Sequence, residues 1–446
     1  IIAAGQEADG YLTTWLTIDP NHPPAPWVEP PGERWKSLNT SHELYNAGHL
    51  FEAAAAHYRA TGKRSLLNIA LKNADLLVDT FGPDHLQIPP GHQIVETGLI
   101  QLYRITENPD YLDLAKFFLD VRGDSTTHEL YGAYSQDHLP VTEQREAVGH
   151  AVRALYMYAA MTDVAALLRD PAYLDAVLAL WDNVVHKKMY LTGGLGARHE
   201  GEAFGDDYEL PNLTAYSETC AAIASVYWNH RLFLMTGDAK YIDILERTLY
   251  NGLISGLSLD GTRFFYPNPL ESDGTYAFNQ GARTRKPWFD CSCCPTNLIR
   301  FIPSIPGLIY AVQEDTVIVN LFVSSTATFS VQNHDLTITQ KTNYPWNGHI
   351  SLSVDIETER ALSLKLRIPG WARHDAVPGD LYRYTDESGQ KPGLRINGEP
   401  VETTATNGYV VINRDWKTGD KIELNLPMPV RRVAAHDSVR ADRGKV

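Results

Sequence analysis

Four cysteines in 446 residues are too few for a disulfide framework, and Cys291, Cys293 and Cys294 stand almost side by side, apart from Cys220. Neighbouring cysteines rarely meet bridge geometry, so the group reads as reduced thiols kept for a metal or a reaction. Basic residues are also short: 39 Lys and Arg against 54 Asp and Glu leave a net charge of −15. That excludes the basic face a nucleic-acid binder needs, and it argues against docking on anionic membranes. No run approaches the roughly 18–20 apolar residues of a membrane span, so no membrane partner is expected. The familiar short motifs are missing too. His42-Glu43 and His128-Glu129 open like zincin helices, but Asn46 and Gly132 stand where the second histidine belongs. Gly194-Leu195-Gly196 lacks the third glycine of a dinucleotide loop.

What is present is a globular chain, 43% hydrophobic and 21% charged, long enough for two or three domains. Its charge suits a small neutral or uncharged polymeric substrate. Ile1–Gly5 show no recognisable leader and no start methionine, as in a piece trimmed from a longer protein. A cytoplasmic location is expected, with secretion or a periplasmic location left open.

The first two-thirds carries a concealed repeat. Gly62–Leu66, Asn108–Leu112, Asp170–Leu174 and Asp238–Ile242 are similar turns, each opening a helix. Each is preceded by a long apolar helix (42–60, 92–105, 150–161, 218–235) and followed by a second (64–80, 110–121, 171–186, 239–252). This is a helical hairpin repeated, as in solenoids and closed helical toroids. Gly48-His49, Gly91-His92 and Gly149-His150 are placed at or near helix starts, and His42 shares a helical face with His49. Closure into a ring would gather these histidines at one end, although each could simply cap or pack in its own helix. After about residue 312 the pattern turns to strands: 317–323, 362–368 with clean alternation, 409–412 and 422–426. Asn397-Gly398 and Asn407-Gly408 read as hairpin turns. Two domains are expected, a helical one at 1–312 and a β-sandwich at 313–446.

Chemistry concentrates in Glu218-Thr219-Cys220 and Cys291-Ser292-Cys293-Cys294. Three thiolates and one carboxylate from two segments make a tetrahedral zinc set, and a metal-held thiolate is a nucleophile at neutral pH. A closed structural staple is the plainer alternative, though a carboxylate is unusual in one. A nucleophile at a sugar centre needs a proton donor opposite. Glu202 fits best, in the glycine-rich stretch Gly201-Glu202-Ala203-Phe204-Gly205, with Glu200, Asp206, Asp207 and Glu209 as competitors. With 9 Trp and 23 Tyr, aromatic side chains are plentiful enough to line a carbohydrate cleft.

With these residues in view, the chain resembles glycoside hydrolase family 127, the β-L-arabinofuranosidases; the related family 146 shares much of the pattern. The matching segments are Gln6–Leu12, His42–His49, Gly91-His92, Gly149–Ala154, Gly201–Phe204, Tyr216–Cys220, Phe265–Leu270, Cys291–Pro295 and Asp442–Val446. The resemblance implies an (α/α)6 barrel followed by an all-β sandwich, and a family pattern that extends before Ile1 and after Val446. It implies Zn2+ held by Glu218, Cys220, Cys293 and Cys294, with Cys293 as nucleophile and Glu202 as general acid/base. It places His42, His92, His150 and Tyr266 on the sugar with Glu218 near it, and gives Cys291 no ligand role; His49 joins them from the helical-face argument. The implied reaction is retaining release of L-arabinofuranose from arabinofuranosides, and a homodimer is compatible. The alternatives are hydrolysis of another L-configured pentose-like sugar, a toroid lyase or epimerase with structural zinc, and a carbohydrate-binding protein without turnover.

Overall fold

The computed structural model describes residues 1–23, 28, 30, 32–386 and 389–445. Val446, the last residue of both the Asp442–Val446 match and the expected β domain, lies outside them. The chain divides into two compact units, Ile1–Val184 with Leu195–Asp207, and Val185–Gly194 with Tyr208–Val446.

The first unit is built from helical hairpins. Its main helices are α1 (Glu43–Thr61), α2 (Ser65–Thr80), α3 (Val95–Thr106), α4 (Pro109–Asp120), α5 (Ala151–Leu168) and α6 (Pro171–Asn183). The repeat seen in the sequence has a capping basis. Gly62, Glu107 and Arg169 each end a first helix in the left-handed region, at φ 69°, 59° and 54°. Asn108 and Asp170 then cap the next helix, accepting from Asp110 N and from Ala172 N, with proline at the first helical position. Gly48-His49 lies inside α1 rather than at its start. The glycine is there because α1 and α3 nearly touch: a Cβ on Gly48 would come within 2.6 Å of Val95 N, and one on Gly98 within 2.7 Å of the Gly48 carbonyl. Contrary to the sequence reading, α5 is long and apolar enough to cross a membrane, but 83% of it is buried inside the protein, as in a core helix.

The second unit repeats the hairpin once. In it α7 (Thr219–Thr236) ends at left-handed Gly237, and α8 (Ala239–Arg247) is capped by Asp238. A further helix, α9 (Cys293–Phe301), packs on α7. Strands begin at Tyr310. One sheet orders β1 (Tyr310–Gln313), β2 (Thr316–Val319), β6 (Arg360–Arg367) and β10 (Tyr409–Trp416), with β2 and β6 parallel. The other orders β3 (Ser325–Val331), β4 (His334–Thr342), β5 (His349–Ile356), β11 (Lys421–Asn425), β8 (Gly393–Ile396) and β9 (Glu399–Val401), all antiparallel. Val317, Leu364, Leu366 and Ile412 of the first sheet share one core with Leu336, Ile338, Leu352 and Leu424 of the second. That makes a sandwich, in which alternate residues of each strand face inward. Asn397-Gly398 is the β8–β9 hairpin turn, with φ 54° and 86°. The strand expected over 317–323 stops at Val319. There Arg367 Nε donates to the Asn320 carbonyl at 2.6 Å, and Tyr409 donates to Asn320 Oδ1 at 2.6 Å.

Arg367 also ties β6 to α8. Its guanidinium is fully buried and meets Asp243 at 2.7 Å and Glu246 at 2.5 Å. Removing one partner of a buried pair strands the other, at a cost of about 3–5 kcal/mol. Arg367→Leu is therefore expected to lower the urea midpoint of unfolding markedly. An unchanged midpoint would show that the cluster contributes no net stability.

Candidate functional site

Within the first unit, the close crossing of α1 and α3 assembles a nest of imidazoles. His42 precedes α1 in a left-handed conformation, φ 57° and ψ 19°. Its ring centroid lies 5.8 Å from that of His92, and His92 lies 5.5 Å from His150. Tyr45 sits among them, 4.4 Å from His49 and 4.3 Å from His92. All four predicted histidines thus come together. Burial pushes His42, His92 and His150 below the ordinary imidazole value, and the Arg153 cation opposes their protonation further. Arg153 is itself 5% exposed; it binds the Gly91 carbonyl and lies 4.7 Å over the Tyr134 ring. Glu43, 3% exposed, fixes the start of α1 by accepting from the Tyr11 hydroxyl at 2.6 Å and the Ser41 hydroxyl at 2.7 Å.

Glu202 belongs to the same unit. It stands at the tip of a tight reversal in which Arg198 and Ala203 bridge, with Gly201 at φ 69° and Glu202 at φ 51°. A non-glycine residue held in the left-handed region stores strain and marks a position that surrounding structure dictates. Backbone bonds from Phe204 N to Gly149 O, 2.9 Å, and a bridge from Ala203 to His150 fasten this reversal beside the start of α5. Glu202 Oε2 then lies 2.9 Å from His150 Nε2. The competitors face elsewhere: Glu200 is exposed, Asp206 pairs with Arg198 at 3.0 Å, and Asp207 accepts from Asn183 at 3.0 Å.

In the second unit, both cysteine segments are helix N-termini. Glu218 and Cys220 open α7, and Cys293 and Cys294 open α9. Both helix dipoles place positive potential on the group, which favours thiolates. One ligand atom from each of Glu218, Cys220, Cys293 and Cys294 lies within 4.8 Å of the others. Glu218 Oε1 is 3.4 Å from Cys294 Sγ and 3.9 Å from Cys293 Sγ. Burial raises Cys220, but hydrogen bonds from Cys293 and Cys294 outweigh it and leave its pKa at about 7. Burial and the neighbouring Cys220 thiolate push Cys294 well up. Thiols this close resist joint ionisation unless a cation lies among them. The donor set therefore fits a metal ion. Thr219 N bonds the Tyr266 carbonyl at 3.0 Å, which brings the Tyr266 hydroxyl to 2.8 Å from Cys293 Sγ. Cys220 and Cys294 are buried, whereas Cys293 is half-buried and Cys291 exposed.

Two family models match this chain: "Beta-L-arabinofuranosidase, GH127 catalytic domain" over residues 1–307 and "Beta-L-arabinofuranosidase, GH127 middle domain" over 316–428. The chain belongs to the GH127 family. A curated relative, the non-reducing end β-L-arabinofuranosidase of Bifidobacterium longum subsp. longum, is 36% identical over 100% of this chain and 68% of its own length. A solved GH127 β-arabinofuranosidase is 53% identical with a TM-score of 0.92, covering 99% of this chain and 68% of that one. A GH127 β-L-arabinofuranosidase from Geobacillus stearothermophilus T6 is 41% identical with a TM-score of 0.89, over 99% of this chain and 69% of that one. As a GH127 member the chain is a glycoside hydrolase, and its fold class is the helical barrel followed by a β-sandwich.

Tyr45 and Arg153 stand in the GH127 histidine nest without having been singled out in the sequence. Tyr45 could have been found, since it lies three residues after His42 and four before His49 on one helix face. Arg153 gave no such signal, because its partners at Gly91 and Tyr134 are distant in sequence.

The buried imidazoles make a pH prediction. Their folded values lie below 6.5, so the unfolded chain takes up protons first as pH falls. Stability is full above 6.5 and is lost progressively below it, by up to about 1.4 kcal/mol per pH unit for each ring. Thermal midpoints measured on both sides of pH 6.5 should fall on the acid side, and His92→Gln should flatten that slope. An unaltered slope would show that His92 is protonated alike in both states.

Proposed function

We propose that this chain is a retaining exo-glycosidase that releases L-arabinofuranose from the non-reducing end of β-L-arabinofuranosides. The observation that carries the mechanism is the exposure pattern of the thiols. Of the three in the ligand group, Cys293 alone opens toward solvent, while Cys220 and Cys294 are buried. A sugar can reach only that sulfur.

In the first step the Cys293 thiolate attacks the anomeric carbon. A C–S bond forms, the glycosidic C–O bond breaks, and protonated Glu202 gives its proton to the departing oxygen. In the second step Glu202 takes a proton from water, the water oxygen attacks the anomeric carbon, and the thiolate leaves. Two displacements restore the starting configuration. Retention requires nucleophile and acid at about 5–5.5 Å with the sugar between them. Zn2+ bound by Glu218, Cys220, Cys293 and Cys294 would keep the sulfur ionised at neutral pH and lower its basicity, which helps it depart. His42, His92, His150 and Tyr266 bind the sugar hydroxyls, with Glu218 and His49 beside them. Neutral imidazoles suit that task, since each offers one donor and one acceptor.

The direct test compares aryl β-L-arabinofuranoside with its α-L, α-D and pyranoside isomers, with zinc measured on the same sample. Preferential turnover of the β-L-furanoside with about one zinc per chain is expected. Active enzyme without zinc, or preference for another isomer, would overturn the reading.

Side-chain replacements separate the roles. Glu202→Ala should lose about 10²–10⁴-fold on poor leaving groups and little on activated aryl ones, because the latter need no proton. Equal loss on both would reassign the acid to Glu200 or Asp207. Cys293→Ser should abolish turnover, whereas Cys294→Ser should act through lost metal and recover in part with excess zinc. Retained turnover in Cys293→Ser would remove it as the nucleophile.

A further inference from the structure

His150 differs from its neighbours in which ring nitrogen carries the proton. It is the N-cap of α5, and its Nδ1 accepts the backbone N–H of Arg153 at 3.2 Å. A ring nitrogen that accepts a hydrogen bond bears no proton, so the neutral ring carries its proton on Nε2. Burial keeps that ring neutral near pH 7. His42 and His92 are the other way round. Their Nδ1 atoms face the carbonyls of Thr40 and Gln93, each at 2.8 Å. A carbonyl only accepts, so those rings are protonated on Nδ1 and leave Nε2 bare. Of these three rings, His150 alone presents an Nε2–H.

We propose that His150 is a positioning residue that decides which oxygen of Glu202 carries the transferable proton. The inference rests on Glu202 being the acid/base. The His150 Nε2–H donates to Glu202 Oε2, 2.9 Å away. A carboxyl proton on Oε2 would set two donors head to head, so it resides on Oε1. In the first step the proton leaves from Oε1 to the departing oxygen, and in the second it returns there from water. Oε2 remains an acceptor throughout, and no proton passes to His150. The backbone supports this division. Ala203 bridges His150, and Phe204 N bonds Gly149 O at 2.9 Å, so ring and carboxyl ride on one hydrogen-bonded piece of chain. The left-handed φ of 51° at Glu202 aims its side chain back along that piece. Helix capping and proton placement thus become one constraint: the Arg153 N–H that starts α5 also sets the tautomer that orients the acid.

Two measurements test it. In the zinc-loaded enzyme with 15N-labelled histidine, His150 should show an unprotonated, pyridine-type Nδ1 and a protonated Nε2. The opposite tautomer would overturn the proposal without any variant having to fold. His150→Asn keeps an N-cap, because asparagine is among the preferred capping residues, but is too short to reach Glu202. Its loss should be about tenfold or more greater for poor leaving groups than for dinitrophenyl, the signature of a disturbed acid. Equal loss across leaving groups would reduce His150 to a sugar contact and overturn the proposal. Glu202→Ala, run alongside, separates the two readings. A steep leaving-group dependence there beside a flat one in His150→Asn overturns this proposal alone, whereas a flat one in Glu202→Ala overturns the acid assignment beneath it.

Discussion

Three sulfurs and a carboxylate crowded within 4.8 Å cannot all ionise in a buried place unless a cation joins them. Much of the second unit can be understood from that constraint. The group is delivered by two helix N-termini, so backbone N–H groups and dipoles already favour negative charge before any metal binds. Burial of Cys220 and Cys294 commits them to holding a metal, and the partial exposure of Cys293 leaves one sulfur able to do chemistry. Tyr266 is pinned beside that sulfur by the backbone bond from Thr219, the residue between Glu218 and Cys220. Metal set and nucleophile are in this way one construction.

The first unit solves a different problem with the same economy of backbone. Its imidazoles must be neutral to offer both donors and acceptors, and burial keeps them so. They gather because α1 and α3 meet at Gly48 and Gly98, where no Cβ intervenes. The strain at His42 and Glu202, both left-handed, is tolerated because neighbouring hydrogen bonds over-determine each position. Glu43, buried between Tyr11 and Ser41, holds the turn that presents His42.

The helical hairpins were legible in the sequence because their signals are local: Asn108-Pro109, Asp170-Pro171 and Asp238 are caps, and caps sit at fixed offsets from the helices they start. The metal set was legible because its members fall in two short segments, each at a helix start. The Gly48 crossing was misplaced at a helix start, since close approach of two helices has no local signature. The strand expected to reach Val323 ends at Val319 because Arg367 and Tyr409 capture Asn320, partners drawn from β6 and β10. Likewise the apolar run of α5 escaped notice as a candidate span until its burial identified it as core.

The account stands or falls on which atom bonds to the sugar. An epoxide or haloacetamide shaped like L-arabinofuranose, followed by peptide mapping with and without competing substrate, reads that atom directly. The account predicts one adduct on Cys293, prevented by substrate, with any labelling of exposed Cys291 indifferent to substrate. A substrate-protected adduct on Cys294, Cys291 or a carboxylate would contradict it.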